Sequence, residues 1–266
     1  MRAFRRAMLA GGIDPTKMPE THKIYYTSKN KIKVERDDFG SMILLHEWNA
    51  DTNEAVIIFS KEVANIGSYA FYSTPITSIT IPKSVTSMGY VAFHSCGSLN
   101  QVNISDLSAW CKIEFDDSAN PLLNEAKLFI NGEEATSIII PPNVVEIKHA
   151  FAGCTSIVSF VAPEGVTTIG DSALYNCINL ESITLPSTVT TIGARAFMYC
   201  ESLTSVTIPD SVTTIGDGAF QCCSGLTSVT IGNGVTSISE RAFQDCSSLT
   251  SVTIPNSVTE IGEYAF

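Results

Sequence analysis

The sequence has little charge, few histidines and no long apolar run, and each absence excludes a class of protein. Only 16% of the 266 residues are Asp, Glu, Lys or Arg, while 44% are hydrophobic, so the composition indicates a folded chain rather than a disordered one. Since no stretch approaches roughly 18 consecutive apolar residues, we expect no membrane span. The start, MRAFRRAMLAGG, has too short an apolar stretch for a secretory signal peptide.

Positive charge is scarce outside the beginning of the chain. Residues 1–36 hold nine of the 16 Lys and Arg against three acids, whereas residues 37–266 hold the other seven against 24 acids. An acidic body repels phosphate backbones, so we expect no nucleic-acid partner. The basic start, residues 1–22, is predicted to be a flexible leader.

Motifs for catalysis, metals and cofactors are also absent. The chain has no C-x-x-C pair and no phosphate-binding glycine loop. The histidines are predicted to be solvated or to lie in the cap; they are His22, His46, His94 and His149. The acid pairs are predicted to be surface charges: Asp37-Asp38, Asp116-Asp117 and Glu133-Glu134. We therefore expect no enzyme, no metal and no cofactor. The rival interpretation is an enzyme built on residues 99–134 around Trp110, Asp116 and Asp117.

What the sequence does contain is a repeat. Residues 203–225 read LTSVTIPDSVTTIGDGAFQCCSG, and residues 226–248 repeat fourteen of those 23 positions identically. The leading apolar residue recurs at intervals of 23 from residue 157 onward, and the units 54–75 and 135–156 are one residue shorter. Such a period indicates a solenoid of stacked units.

The pattern within a unit predicts two short strands and a turn. In LTSVTI, apolar Val206 and Ile208 alternate with Ser205 and Thr207, which predicts a strand with one buried face. Val212 and Ile215 predict a second extended piece, and the Ala-Phe pair predicts a helical or 3-10 turn. The predicted core comprises Leu180, Val206, Ile208, Val212, Ile215 and Phe220, together with Cys177, Cys200, Cys223 and Cys246.

One unit has too few apolar side chains to fold alone, so neighbouring units must stack. Stacking places equivalent strands about 4.8 Å apart in a parallel ladder. We therefore predict a mostly β repeat solenoid with short helical or 3-10 turns. In it, Val206, Val229 and Val252 are expected to be successive rungs.

Six of the eight cysteines occupy one position of the repeat. They are Cys96, Cys154, Cys177, Cys200, Cys223 and Cys246. Stacking brings these thiols close enough for disulfides, but every turn presents the same thiol, so a buried column of free cysteines is the prediction. Occasional disulfides are the alternative. Cys111 and Cys222 lie outside the column, and Cys222 is expected to be exposed.

Small polar side chains recur at positions 3 and 5 of the unit. On a parallel ladder they would form columns of hydroxyls and amides on one broad face. The candidate ligand-binding residues are Ser78, Thr80, Gln101, Asn103, Ser182, Thr184, Ser205, Thr207, Ser228, Thr230, Ser251 and Thr253. The alternative is that threonine is used there only for strand propensity and solubility.

The consensus L-x-x-V-x-I-P-x-x-V-x-x-I-G-x-x-A-F-x-x-C resembles the BspA-like, or Treponema-type, leucine-rich repeat. The resemblance covers residues 54–98 and 135–266, whose last repeat is truncated, and implies a right-handed leucine-rich repeat coil. Residues 99–134 depart from the pattern, and we predict there a helix around Leu107–Ile113 and a hairpin with a type I′ turn at Asn131-Gly132. Residues 23–53 are predicted to form a β-rich N-terminal cap.

The resemblance implies a recognition module of a bacterial surface or secreted adhesin-like protein, which binds a protein or glycan ligand. The alternative is an intracellular or virion-associated scaffold, so that a cytoplasmic location stays open. Apolar residues would be exposed at the C-terminal end: Ile254, Val258, Ile261 and Phe266. Either the natural chain continues there or the end supports end-to-end self-association.

Overall fold

One sequence period forms one turn of a coil in the computed structural model, which describes residue 14 and residues 17–34 and 36–266. The coil is a β-solenoid of about nine turns with parallel strand ladders and little helix. The predicted repeat of one period per turn and the predicted parallel strand ladder are thus confirmed. Most of the predicted leader, residues 1–22, lies outside the described residues, and its described end contains a 3-10 helix at Glu20–His22.

The regular elements are short throughout. The first strands are β1 Lys23–Ser28, β2 Ile43–Trp48, β3 Glu54–Phe59, β4 Asn65–Ile66, β5 Ile76–Thr80, β6 Ser87–Met88, β7 Gln101–Ile104, β8 Glu114–Phe115, β9 Lys127–Ile130 and β10 Glu133–Glu134. They are followed by β11 Ser137–Ile139, β12 Glu146–Ile147, β13 Ser159–Val161, β14 Thr168–Ile169, β15 Ser182–Thr184, β16 Thr191–Ile192, β17 Ser205–Ile208, β18 Thr214–Ile215, β19 Ser228–Ile231, β20 Ser237–Ile238 and β21 Glu260–Ile261. Helix α1 spans Leu107–Trp110, and further 3-10 helices span Arg36–Phe39 and Pro121–Asn124.

The first ladder contains the LTSVTI strands. In β17, Val206 and Ile208 are buried, while the serine and threonine that alternate with them are exposed. Strand β17 pairs in parallel with β19, with Val206 opposite Val229. Val252 was expected to form the third rung, but this prediction is wrong, because Val252 lies in no strand. It is half-buried and packs against the hydrophobic core.

A second ladder runs beside the first. Strands β12, β14, β16, β18, β20 and β21 form one six-stranded parallel sheet, which contains Ile215 of the predicted extended piece. Directly after this strand, at Gly216, two turns approach so closely that only glycine fits. A Cβ atom added to Gly216 would lie 2.6 Å from the carbonyl carbon of Gly193, and a side chain would therefore force the turns apart.

The Ala-Phe segment consists of single turns in the i→i−3 pattern of the predicted 3-10 turn, not of a continuous helix: the Ala219, Gln221 and Cys223 amides donate to carbonyls three residues earlier at 3.1, 3.0 and 3.2 Å. Gly218 and Cys222 have φ values of 58° and 60°, which interrupt any helix. The alternate amides reach the next turn: the Phe220 amide donates to the Ala242 carbonyl at 2.7 Å, and the Cys222 amide donates to the Gln244 carbonyl at 2.8 Å. Backbone hydrogen bonds therefore connect neighbouring turns on this third side as well.

The cap continues the first ladder with antiparallel strands. One seven-stranded sheet has the order β10-β9-β7-β5-β1-β3-β2, in which β1 pairs antiparallel with both β5 and β3. Strand β3 begins the predicted repeat 54–75, yet β1 separates it from the parallel strands. The first repeat thus differs from the others, because its strand is paired with the cap.

Residues 99–134 keep the coil although their sequence departs from the repeat. Strand β7 joins the first ladder, β8 pairs in parallel with β6, and β9 pairs in parallel with β7. The helix is shorter than predicted and is capped by Asp106, whose side chain accepts the Ala109 amide proton at 2.9 Å. Asn131 and Gly132 have φ values of 52° and 88°, as the predicted type I′ turn requires.

Apolar side chains of successive turns stack inside the coil. The rings of Phe197 and Phe220 lie 5.0 Å apart and nearly parallel, and those of Phe220 and Phe243 lie 5.2 Å apart. Every predicted core residue is buried: Leu180, Val206, Ile208, Val212, Ile215, Phe220, Cys177, Cys200, Cys223 and Cys246. A continuous hydrophobic core therefore runs along the coil.

The cysteine column consists of free thiols that bond to the backbone. All eight cysteines are unpaired. The thiols of Cys223 and Cys246 donate to the carbonyls of Phe197 and Phe220 in the preceding turn, both at 3.1 Å. Each of these two thiols is thus a second donor to a carbonyl that also accepts a backbone amide of its own turn. Burial raises the pKa of Cys246 to about 12, so its reactive thiolate form is suppressed.

We predict that one thiol per folded chain reacts with a disulfide reagent such as DTNB at pH 8. Cys222 is the only half-buried cysteine, and the other seven are buried. Those seven should react only after unfolding, and Cys222→Ser should remove the fast reaction. Rapid reaction of a second thiol in the folded protein would contradict this account.

The cap contains a half-buried histidine. His46 Nε2 lies 2.7 Å from the hydroxyl oxygen of Tyr26, and Lys31 Nζ donates to the His46 carbonyl at 2.9 Å. Burial, and secondarily the positive charge of Lys31, lowers the pKa of His46 to about 4. This histidine is therefore packed inside the cap and neutral at pH 7.

Acid should destabilise the cap through His46. Because the folded-state pKa is below the ordinary value of about 6.5, the unfolded chain binds the extra proton, and stability is lost as the pH falls from about 6.5 to 4. Urea unfolding at several pH values should show this loss, and His46→Gln should reduce it while keeping a polar partner for Tyr26. An identical pH dependence in both proteins would show that His46 does not contribute.

Candidate ligand-binding face

The outward side of the first ladder, including its cap strands, is called here the ladder face. In its C-terminal half the predicted residues are exposed: Ser182, Thr184, Ser205, Thr207, Ser228, Thr230, Ser251 and Thr253. In its N-terminal half they are half-buried: Ser78, Thr80, Gln101 and Asn103. Alignment is strict where strands pair, as for Thr207 opposite Thr230. Ser251 and Thr253 lie in no strand.

The ladder face continues into the cap, because cap strands pair in register with the repeat strands. The sequence did not predict this extension. A single row crosses seven strands, with Glu47, Val56, Tyr25, Thr80, Asn103, Phe129 and Glu134 as successive partners. Only Thr80 and Asn103 of this row were predicted. The antiparallel insertion of β1 places Tyr25 beside Thr80, and no repeat pattern contains that pairing.

The middle of the ladder face is apolar. Position 5 of the repeat is Ile139 on β11 and Val161 on β13, and these two residues pair directly. The Ile139 side chain is 67% exposed. Phe129 holds the same position on β9 and is half-buried. The predicted hydroxyl columns do not include these residues. The sequence marks them only by an apolar residue at a repeat position that is polar in most other units.

A groove of about 830 Å³ lies at the cap end of the ladder face. Its lining includes Tyr25, Thr27, Glu47, Glu54, Val56, Ser78 and Thr80. The hydroxyl of Tyr25 donates to Glu20 Oε1 at 3.3 Å. Burial raises the pKa of Tyr25, and the nearby carboxylate of Glu20 raises it further. The phenol is therefore neutral, and the groove combines an aromatic ring with two carboxylates.

The residues of the enzyme alternative do not form one site. Asp116 and Asp117 line a crevice of about 440 Å³ on the turn side of the coil, which Tyr175 and Arg195 also line. Trp110 is not part of that lining. It is 1% exposed, and its indole N–H donates to the Ala150 carbonyl at 2.8 Å. Trp110 therefore stabilises the core of the insertion.

The described part of the chain offers no cluster of three His, Cys, Asp or Glu side chains that could hold a metal ion. Within residue 14, residues 17–34 and residues 36–266, no helix has the length and apolar character needed to cross a bilayer.

Comparison with known proteins identifies the repeat. The profile of the BspA type leucine-rich repeat region matches in six copies, over residues 49–119, 124–233 and 167–266. A leucine-rich repeat protein from Eubacterium ventriosum has a similar structure, with a TM-score of 0.53 and 20% identity over 78% of this chain and 68% of that one. This similarity shows the fold.

Two further structures are similar at lower scores. The T. pallidum leucine-rich repeat protein has a TM-score of 0.38 and 22% identity, over 83% of this chain and 92% of that one. A leucine rich cell surface protein from Faecalibacterium prausnitzii has a TM-score of 0.37 and 25% identity, over 77% and 74%. No curated protein matches significantly. The profile covers well over half of the residues, and the chain therefore belongs to the BspA type leucine-rich repeat family.

Proposed function

We propose that this chain is a non-enzymatic recognition module that binds an extended protein ligand through the ladder face. The observation that carries the proposal is the composition of that face. Exposed Ile139 and its partner Val161 lie between two fields of small polar residues. An apolar centre with a polar rim is typical of protein–protein interfaces.

The shape of the face suits a long ligand. Its strands follow one another at about 4.8 Å, so hydroxyls recur at regular intervals in its C-terminal half, as at Thr184, Thr207 and Thr230. Solenoid surfaces of this kind bind extended partners. A neutral glycan could use the same hydroxyls, but the Ile139–Val161 pair favours a protein.

We place the module at the bacterial surface or in the secreted fraction, as an adhesin-like protein that binds host or cell-surface proteins. Support for this location comes from the family resemblance. A second candidate is an intracellular or virion-associated scaffold. It is favoured by the eight free thiols, because reducing compartments preserve unpaired cysteines. Biotinylation of intact cells with an impermeant reagent separates the two: labelling supports the surface protein, and labelling only after lysis supports the scaffold.

Binding through the ladder face predicts a specific mutational result. Changing Thr184, Thr207 and Thr230 together to lysine should weaken capture of a ligand selected from an array of extracellular-matrix proteins and glycans by more than about tenfold, because three charges would be desolvated in the interface. All three side chains are exposed, so the fold should persist.

The matched control changes Thr190, Thr213 and Thr236 to lysine. These threonines lie on the same turns and are also exposed, but they belong to the second ladder region, where the hydroxyls of Thr190 and Thr236 donate to carbonyls of the preceding turn. Capture should be retained in this control variant. Equal loss in both variants, or no loss in the first, would refute binding through the ladder face.

A further inference from the structure

Both strand ladders are interrupted at the same place in the coil. Strands β1 to β10 pair only among themselves, and so do β11 to β21. Among the described residues, none of the backbone hydrogen bonds of turns and loops joins a residue up to 134 to one in 136–266. The described chain up to residue 134 is called here the N-terminal segment, residues 136–266 are called the C-terminal segment, and their contact is called the junction.

Turns on either side of the junction are connected differently. Within the C-terminal segment, the Phe220 amide donates to the Ala242 carbonyl, and the Thr236 amide donates to the Thr213 carbonyl. The first ladder is interrupted again between β15 and β17, but there the second ladder continues through β16 and β18. In the described part of the chain, both ladders are therefore interrupted together only at the junction.

The hairpin of the insertion explains the interruption of the first ladder. After the turn at Asn131-Gly132, β10 runs back along β9, with Glu134 opposite Phe129. It thereby occupies the edge of β9 that a following parallel strand would use. The Ala135 amide then donates to the Leu128 carbonyl at 2.8 Å. Strand β11 consequently begins a new sheet, in which β13 is its neighbour.

A crevice of about 270 Å³ replaces the second ladder at the junction. It is lined by Glu114 of β8 and Glu146 of β12, which belong to different segments. Lys148 Nζ lies 3.8 Å from a carboxylate oxygen of Glu114 and 3.5 Å from one of Glu146. All three side chains are solvent-exposed, so these ion pairs connect the segments only weakly.

Side chains provide the polar links across the junction. The Trp110 indole N–H donates to the Ala150 carbonyl at 2.8 Å, and the Leu128 amide donates to Ser156 Oγ at 3.1 Å. Further hydrogen bonds across the junction are made by the side chains of Asn120, Asn143 and Thr155. The hydrophobic core also continues from one segment into the other. The segments are thus held together by packing and single side-chain bonds.

We infer that the junction is a hinge between two segments, each of which is cooperative by itself. Packed elements without a common backbone ladder can slide or rotate against each other, whereas strands within one ladder cannot. The ladder face bends at this hinge, because Phe129 on β9 and Ile139 on β11 lie on opposite sides of it. The inference goes beyond the proposed function, and its tests need no ligand.

Distances between spin labels test the bending. One label is attached to Cys222, since the other seven cysteines are buried. The second is attached through Val145→Cys or Glu114→Cys, which are exposed positions on opposite sides of the crevice. The distance distribution for Glu114→Cys, across the junction, should be about twofold broader than that for Val145→Cys, within one segment. Equal widths would overturn the hinge.

Urea unfolding with thiol alkylation tests whether each segment is cooperative by itself. Mass spectrometry assigns the alkylated cysteines, and Phe220→Leu weakens the ring stack with Phe197 and Phe243. This variant should lower the urea midpoint for alkylation in the C-terminal segment by about 0.5–1 M and leave that of the N-terminal segment unchanged. The C-terminal reporters are Cys154, Cys177, Cys200, Cys223 and Cys246, and the N-terminal reporters are Cys96 and Cys111.

Cys154 is the internal control, because it lies next to the junction and is separated from Phe220 by the turns of Cys177 and Cys200. Its midpoint should shift with the other C-terminal cysteines, while that of Cys111 should not. The reciprocal variant Phe93→Leu, which weakens the stack with Phe71, should shift only the N-terminal reporters. An equal shift of all seven cysteines, or a gradual decrease along the coil without a step at the junction, would overturn the two segments.

Discussion

Backbone hydrogen bonding between successive turns is the constraint on which this structure depends. Neighbouring turns are joined on up to three sides: by strand pairs of the first ladder, by strand pairs of the second ladder, and by amides such as that of Phe220, which donates to the Ala242 carbonyl. A turn has no partner of its own for these groups, and an unpaired buried amide or carbonyl costs about 1–3 kcal/mol. Even the cysteine thiols act between turns, because each donor–acceptor pair joins one period to the one before it.

The same constraint creates the candidate site. Stacking in register converts each position of the repeat into a column, so a position that faces outward becomes a stripe along the coil. Changing the residue at one outward position alters the stripe without disturbing the core, as Ile139 and Val161 do beside Thr184 of the next strand. The cap then adds Tyr25 and Glu47 to the end of the same face through antiparallel pairing. Recognition can therefore vary along the face while the coil is conserved in form.

Sequence reasoning predicted the features that depend on periodicity. The 23-residue spacing and the alternation of Val206 and Ile208 were sufficient for the ladder and for its buried side. Features set by contacts between distant segments were not predictable: β1 lies between β3 and β5, although nothing in its own residues specifies that partner. The Ala219-Phe220 segment forms single turns of the 3-10 type, as predicted, but positive φ at Gly218 and Cys222 keeps them from joining into a helix and directs the alternate amides to the next turn. The groove was missed because it is formed by cap strands that do not repeat.

The central claim is that one period is held in shape only by the periods that contact it. The most direct measurement is the circular dichroism and amide exchange of a peptide comprising residues 203–225 alone. We expect the peptide to have a disordered spectrum, no thermal transition and amide exchange at the rate of an unfolded chain. The amides of the same residues in the full chain should be protected from exchange. An isolated peptide that shows a cooperative transition or slow exchange would contradict it.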